Sequence, residues 1–260
     1  MTDLSANATP QLVELIREGR VRVDYLKVGS WMAPQTVASF DSGLPMVLHG
    51  AEVLSREETF PQEVLAGVKA WVARTGTPWL SEHLGFSCEE VEIAREMMPA
   101  LGTRLLSLDE ARENICRNAK QLQAAIPVPL LLENLPRCLN HAHDHVCEPD
   151  FIAHVLQETG CGLLLDVAHA RVSASVLGYD VYDYLARLPL EKTVEIHVSG
   201  PREEGGILTD RHEAMTQPDY QVLAHVLGHS SPKMVSLEYW KDKEALATQL
   251  VLLRRMLDGH

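Results

Sequence analysis

The chain has 260 residues, of which 46% are hydrophobic, and it carries a formal net charge of −13 at neutral pH. This length suits one α/β barrel or two small domains and allows a large core. The acidity makes nucleic acid an unlikely partner, because proteins that bind phosphate backbones usually carry a basic face.

The cysteines and the N-terminal residues bear on the compartment. The sequence contains five cysteines, an odd number without zinc-type pairing. The first residues include neither a basic segment nor an apolar segment of the kind found in signal peptides. No apolar run reaches the roughly 18 residues of a membrane span. We therefore expect a cytoplasmic protein with reduced thiols and without a membrane partner.

Strand-type and helix-type patterns alternate along the whole chain, and no linker divides it. Strands are expected at 3–6, 23–28, 79–83 and 130–133, and in runs that end at Asp166, His197, Glu238 and His49. Helices are expected at 9–19, 34–40, 61–74, from about 89, and at 109–125, 150–158, 182–188, 220–227 and 243–257, with loops at 140–150 and 199–217. Eight strands alternating with helices predict an α/β fold, a single (β/α)8 TIM-barrel domain over residues 1–260.

Several predicted strands end in a side chain that can bind a metal ion. A charge at the end of a buried strand is costly unless it is paired or binds a cation. In a TIM barrel, these strand ends surround the active site. The residues concerned are His49, His83, Glu133, Asp166, His197 and Glu238.

Three more candidates complete the predicted metal site. His169 follows the Asp166 strand, and Asp210 and His212 lie in the predicted loop 199–217 with a spacing that places them on one side of an extended segment. Nine such side chains are too many for one ion, and the four carboxylates among them would repel each other. Two or three divalent cations would resolve that repulsion.

Within this set, Glu133, Asp166 and Glu238 are the expected catalytic carboxylates. Glu133 and Asp166 lie near the middle of the strand order and could bridge two ions. The nitrogen and oxygen ligands suit iron, manganese, zinc or cobalt.

The ordered set resembles the trinuclear site of the endonuclease IV and xylose isomerase-like barrel superfamily. The runs 81–84, 132–134, 160–167 and 195–197 are similar to those of the multinuclear non-haem iron-dependent oxidative enzymes, the MbnB/TglH family. This resemblance implies two or three iron ions, molecular oxygen, and oxidative modification of a cysteine or related thiol in a ribosomally made peptide. It also implies that a partner protein often presents the peptide. Zinc or manganese remain alternatives to iron.

Two other reactions fit the same residue types. A metal-dependent sugar or hydroxy-acid isomerase or epimerase would use Glu133 or Glu238 to move a proton. An endonuclease IV-like phosphodiesterase would use three zinc ions, although the acidic charge disfavours it. A binding module without catalysis is the least favoured interpretation.

Other residues have both a functional and a structural interpretation. By strand alternation, Glu82 points away from His83, whereas Glu195 lies on the side of His197, where it would either orient that imidazole or form a buried structural pair. The His-rich loop 141–147 is expected to be solvated, with part of a substrate-binding rim as the alternative, and Gly205–Gly206 is either a lid hinge or a plain turn. Four basic residues either contact an anionic substrate or form surface salt bridges: Lys27, Arg171, Arg202 and Arg211.

Overall fold

The computed structural model describes residues 2–40, 42–92 and 97–259. Its strands are β1 (Asp3–Asn7), β2 (Tyr25–Gly29), β3 (Met46–His49), β4 (Leu80–His83), β5 (Val91–Glu92), β6 (Met98–Pro99), β7 (Leu130–Glu133), β8 (Gly162–Asp166), β9 (Thr193–Val198), β10 (Gly200–Glu204), β11 (Ile207–Glu213) and β12 (Met234–Leu237). Its α-helices are α1 (Pro10–Arg17), α2 (Pro34–Ser39), α3 (Gln62–Thr75), α4 (Leu108–Ala125), α5 (Pro149–Thr159), α6 (Val167–Leu177), α7 (Val181–Ala186), α8 (Gln217–His229) and α9 (Lys243–Asp258). Short 3-10 helices cover His141–His143 and Leu190–Lys192.

Eight of the strands close into a barrel in the order β1-β12-β9-β8-β7-β4-β3-β2. Every neighbouring pair in the barrel is parallel, including β1 with β12, which closes it. The predicted (β/α)8 fold is therefore confirmed. Because the strands are parallel, their C-terminal ends meet at one end of the barrel, and the side chains that follow them share one opening.

Side-chain alternation divides the core into two parts. A small apolar cluster contains Val47, Leu131 and Leu164, each two residues before a predicted site residue, together with Trp79 and Met234. A strand repeats its orientation every two residues, so this cluster fills the barrel beneath the site. The larger apolar core lies between the barrel and its helices. Among the described helices, none is long and apolar enough to cross a membrane.

The expected loop at 199–217 is wrong over most of its length, because β10 and β11 form an antiparallel two-stranded ribbon there. Gly205 and Gly206 adopt φ values of 59° and 83°, the left-handed region that a two-residue hairpin turn requires. The glycine pair is thus the turn of a ribbon. This ribbon carries Asp210 and His212 over the barrel opening.

One further expectation was wrong, and one helix was not predicted. The helix expected from about Glu89 is absent from the described residues there, which instead pair β5 with β6 in an antiparallel bridge; residues 93–96 lie outside the described part of the chain. Helix α6 was not predicted, and it begins directly after Asp166. The Asp166 carboxylate accepts the His169 amide hydrogen bond at 2.7 Å and caps this helix, so His169 lies in a helical turn.

Candidate metal centre

All nine predicted site residues gather at the C-terminal end of the barrel. A pocket of about 460 Å³ opens there, and seven of the nine line it: His49, His83, Glu133, His169, Asp210, His212 and Glu238. Asp166 and His197 are fully buried. Strand ends supply most of these residues, α6 supplies His169, and the β10–β11 ribbon supplies Asp210 and His212.

Glu133 lies at the centre of the cluster. Its Oε2 is 3.3 Å from His49 Nε2 and 3.8 Å from His83 Nε2, and its Oε1 is 3.3 Å from His197 Nδ1. Two groups therefore share this carboxylate: one with His49 and His83, the other with Asp166 and His197. Within each group the ligand atoms lie within 4.8 Å of one another, a spacing suited to one ion.

A third group lies beside these two. Asp210 Oδ2 is 3.4 Å from His169 Nε2 and 3.3 Å from His212 Nδ1. His212 Nε2 is 3.0 Å from Glu238 Oε2, and His169 Nε2 is 3.7 Å from Asp166 Oδ2. His212 has a φ of 46°, a left-handed conformation that costs a non-glycine residue on the order of 1 kcal/mol. The ribbon thus holds His212 over the pocket in a strained backbone conformation.

Neighbouring polar groups orient the candidate ligands. His169 Nδ1 donates a hydrogen bond to the Asn134 carbonyl at 2.8 Å, so Nε2 is the atom that faces Asp210. The Asn134 side chain also donates to the Asp166 carbonyl at 3.0 Å and accepts from the Asp166 amide at 2.8 Å. His49 Nδ1 lies 2.8 Å from Ser81 Oγ, which leaves Nε2 to face Glu133. Such contacts fix the tautomer and direction of a metal-binding imidazole.

The residues fit a metal centre by a second criterion. Glu133 Oε2, Asp166 Oδ2 and Asp210 Oδ1 are buried and accept no hydrogen bond from any described residue. A buried carboxylate oxygen that accepts no hydrogen bond is costly, and bound cations would offset that cost. The donors are imidazole nitrogens and carboxylate oxygens, which suit iron, manganese, zinc or cobalt.

The nine predicted ligands include no cysteine, and the buried thiols Cys88, Cys147 and Cys161 have raised pKa values because burial disfavours the thiolate.

The electrostatics of the cluster are strongly perturbed. Burial raises the pKa of Asp166 to about 6. Burial and the charge of Lys27 oppose protonation of His197, but Glu238 and Glu133 outweigh them and raise its pKa to about 10. Burial opposes ionisation of Glu133, but His197 and His49 outweigh it and hold its pKa well below the usual value. Shifts of this kind are typical of functional sites.

Lys27 lines the pocket, although the sequence did not identify it as a site residue. The prediction allowed it a contact with an anionic substrate or a surface salt bridge, yet its side chain is only 5% exposed and its Nζ pairs with Glu238 Oε1. Burial lowers the pKa of Lys27, but the charges of Glu238 and Glu133 outweigh that effect and raise it. Lys27 is the third of the five residues of β2, and its local sequence gave no signal of this pairing.

The remaining basic candidates lie elsewhere. Arg171 pairs with Asp219, Arg202 donates to backbone carbonyls including that of Ala214, and Arg211 pairs with Glu204. None of these three arginines lines the pocket. The salt-bridge interpretation therefore describes Arg171 and Arg211.

The His-rich loop differs from its predicted solvated state. His143 is fully buried, and its Nδ1 donates to the Pro136 carbonyl at 2.6 Å. His141 is exposed and lies 2.8 Å from Asp144. Neither histidine lines the pocket. Glu82 points away from His83, as predicted, and accepts the Glu52 amide hydrogen bond at 2.9 Å.

Two exposed tryptophans line the pocket and were not singled out from the sequence. The Trp31 ring lies 5.8 Å from the His49 ring and is 63% exposed. The Trp240 ring lies 5.4 Å from the His212 ring and is 43% exposed. Large exposed aromatic rings beside a polar pocket are suited to contact with a substrate.

The parallel barrel is similar in fold to solved xylose isomerase-like TIM-barrel proteins. Solved structures similar to this chain include a D-tagatose 3-epimerase-like protein, with a TM-score of 0.65, 12% identity, and coverage of 99% of this chain and 97% of that one. A xylose isomerase-like TIM barrel protein from Mycobacterium smegmatis, solved in complex with magnesium, has a TM-score of 0.61, 12% identity, and coverage of 100% and 97%. At such low identity, these similarities show the fold alone.

The family follows from sequence comparison. The family model described as RiPP precursor modification enzyme MbnB/TglH/ChrH matches residues 9–253, so the chain belongs to that family. A UPF0276 protein of Caulobacter vibrioides is 32% identical over 170 residues, which cover 65% of this chain and 59% of that protein. A UPF0276 protein of Bordetella pertussis is 31% identical over 198 residues, which cover 74% and 67%. The chain thus spans about three fifths of the length of the Caulobacter relative.

Proposed function

We propose that the protein is an iron-dependent enzyme that uses molecular oxygen to oxidise a cysteine in a ribosomally made peptide. Membership of the MbnB/TglH/ChrH family supports the peptide substrate. The observation that carries the metal dependence is the cluster of imidazoles and carboxylates at the barrel opening, in which three buried carboxylate oxygens accept no hydrogen bond from a described residue. A peptide-presenting partner protein and two or three iron ions form part of the same proposal.

The chain's own residues have distinct roles in this proposal. His49, His83 and Glu133 would hold one ion, and Glu133, Asp166 and His197 a second. His169, Asp210 and His212 are the residues for a third ion. Bound iron would supply the electron transfer between the substrate thiol and oxygen.

The pocket residues around the ions would handle the substrate. The exposed rings of Trp31 and Trp240 would contact the peptide, and the Lys27 ammonium would attract an anionic group such as a thiolate. The β10–β11 ribbon would limit water access from one side, because it places Asp210 and His212 against the opening.

A metal-dependent epimerase of a sugar or hydroxy acid is the second candidate. D-psicose 3-epimerase shares the fold, with a TM-score of 0.62 and 12% identity. Such an enzyme needs a carboxylate free to move a proton, yet Glu133 lies among several imidazoles and Glu238 pairs with Lys27 and His212. These contacts favour the oxidative reaction. Redox-silent turnover of a ketose with manganese or cobalt would support the epimerase instead.

The test begins with anaerobic purification and elemental analysis. We expect two or three iron ions per chain, and oxygen uptake together with a mass change in a cysteine-containing precursor peptide. Glu133→Gln removes the shared carboxylate and is expected to lower iron content below one ion per chain. Glu158→Gln makes the same change on the outer helix α5, where the side chain is 52% exposed, and should retain full iron content. Iron-loaded protein that consumes no oxygen with any cysteine-containing peptide, with its partner supplied, would contradict the proposal.

A further inference from the structure

Lys27 places a fixed positive charge inside the candidate metal centre. Strand β2 carries it, and its register partners are Asn7 on β1 and Val47 on β3. The side chain is buried, and its Nζ forms an ion pair with Glu238 Oε1. The two residues are 211 positions apart in sequence, so the barrel itself creates this pair.

Glu238 differs from the other candidate carboxylates because both of its oxygens have a partner. Glu133, Asp166 and Asp210 each have one buried oxygen that accepts no hydrogen bond from a described residue. Glu238 has Lys27 on Oε1 and His212 on Oε2, at 3.0 Å for the latter. It is therefore already satisfied, whereas the other three carboxylates each retain a free acceptor.

Glu238 also lies close to the group formed by Glu133, Asp166 and His197, which would hold the second ion. Its Oε1 lies 3.6 Å from His197 Nδ1, the nitrogen that faces Glu133. A cation held by Glu133, Asp166 and His197 would be attracted to this oxygen but repelled by the ammonium on it. An ammonium and a divalent ion thus compete for the same oxygen.

The charges agree with such competition. Glu195 lies beneath His197 and adds a fifth carboxylate to the four candidate ligands, while Lys27 supplies one positive charge. With neutral imidazoles, the formal charge is −4, which two divalent cations neutralise.

We propose that Lys27 is a positioning residue that holds Glu238 away from the second ion, so that this ion has only Glu133, Asp166 and His197 as protein ligands. Without Glu238 as a ligand, the ion would have room for an anionic substrate group that the Lys27 charge attracts. This inference rests on the proposed metal-dependent function. It changes the predicted ligand set, because Glu238 acts as the partner of Lys27 and His212 and does not bind the ion.

The test is a double-mutant cycle read by metal binding without substrate. Apo protein is titrated anaerobically with Co²⁺ in a calorimeter, and the visible spectrum of bound Co²⁺ reports the coordination number. In the wild-type background, Glu238→Gln removes the partner of Lys27 but no ligand of the ion, so it should lower Co²⁺ affinity less than Glu133→Gln does. Lys27→Met should raise the affinity of one ion by about tenfold or more and shift the spectrum towards higher coordination. Adding Glu238→Gln to Lys27→Met should abolish that gain.

Two further variants complete the design. Lys27→Gln removes the charge but retains a hydrogen-bond donor for Glu238, so it should show the gain even if Lys27→Met folds poorly. Lys192→Met removes a lysine that donates to the Leu156 carbonyl, away from the pocket, and should leave the titration unchanged.

The inference is overturned if Glu238→Gln alone weakens Co²⁺ binding as much as Glu133→Gln, or if both Lys27 variants bind Co²⁺ as the wild type does. Those results would leave the metal-dependent function intact. If the wild-type protein binds no Co²⁺ and no Fe²⁺, the proposed function fails and this inference fails with it.

Discussion

Glu195 supports His197 from beneath, with 3.2 Å between Glu195 Oε1 and His197 Nε2. The Trp79 indole donates to Glu195 Oε2 at 2.7 Å, and the Ser236 hydroxyl donates to Oε1 at 2.5 Å. Burial opposes ionisation of Glu195, but the contact with His197 and the two other donors outweigh it and lower its pKa. The ionised carboxylate thus holds the imidazole with Nδ1 towards Glu133. Of the two interpretations open from the sequence, this geometry favours orientation of His197.

Glu195→Gln should weaken metal binding while leaving every candidate ligand in place. The neutral amide can turn its NH₂ group towards His197 and no longer favours one imidazole orientation. Removal of such a supporting contact typically lowers metal affinity about 10- to 100-fold. Calorimetric titration of the apo protein with Fe²⁺ or Co²⁺ measures the change.

The matched control for this variant is Trp79→Phe, which removes one donor to Glu195 but retains the carboxylate. It should reduce affinity by less than Glu195→Gln. Equal metal affinity in the wild type and Glu195→Gln would mean that Glu195 is only a structural partner of Trp79 and Ser236.

Much of the site was predictable because buried parallel strands have a simple pattern. An apolar run followed by His, Asp or Glu identifies a strand whose polar end lies at the barrel opening, and one polar end implies the others. That argument located His49, Glu133 and His197 without any knowledge of their contacts. The ribbon residues Asp210 and His212 were recognised as candidates by their spacing.

What remained unpredicted depends on contacts between distant parts of the chain. Lys27 pairs with Glu238, and a single lysine after two strand residues has no local signal that separates it from a surface charge. Helix α6 begins without a connecting loop, because Asp166 is both a strand end and a helix cap. The ribbon around Gly205–Gly206 is mostly half-exposed and polar, so it lacks the alternation that marks a strand in a core.

Metal affinity should rise steeply with pH. Asp166 has a pKa of about 6 in the apo protein and must be ionised to bind a cation, so its protonation alone should lower affinity about tenfold per pH unit below 6, in addition to the effect of His197. His197, with a pKa raised to about 10, must also lose a proton, so affinity should continue to increase above pH 6. Calorimetry in two buffers of different ionisation enthalpy measures the protons released.

The same groups set the stability of the apo protein, with a defined sign. Burial raises the pKa of Asp166 in the folded protein above its ordinary value, so its contribution to stability is present at low pH and lost as the pH rises through about 6. Urea unfolding of the apo protein should show this loss, and Asp166→Asn should remove it. The assignment would be contradicted if the free energy of unfolding changed between pH 5 and 7 by the same amount in the apo wild type and in Asp166→Asn.

Gly50→Ala should destabilise the loop that follows His49. An added Cβ would lie 1.8 Å from Glu82 Oε1. Glu82 is 1% exposed and fixed by the Glu52 amide, so it cannot move aside easily. We expect a loss of about 1–3 kcal/mol in the free energy of unfolding, with weaker metal binding at His49. Gly67→Ala is the control, because nothing lies within 4 Å of its added Cβ; in the middle of α3 it should stabilise by about 0.5–1 kcal/mol.

Trp31→Ala should weaken peptide binding without affecting metal content. The Trp31 ring is exposed at the opening, contacts the His49 ring edge-on, and packs over Gly29, where a Cβ would lie 2.3 Å from it. Loss of a large aromatic contact should raise the KM for a cysteine-containing peptide by about tenfold, a change that corresponds to about 1.4 kcal/mol, with little change in kcat.

Tyr182→Ala removes another exposed ring, which packs against His225 on α8 away from the pocket, and should leave KM unchanged. A Trp31→Ala variant that loses iron, or that lowers kcat with no effect on KM, would show that the ring supports His49 and does not contact the peptide.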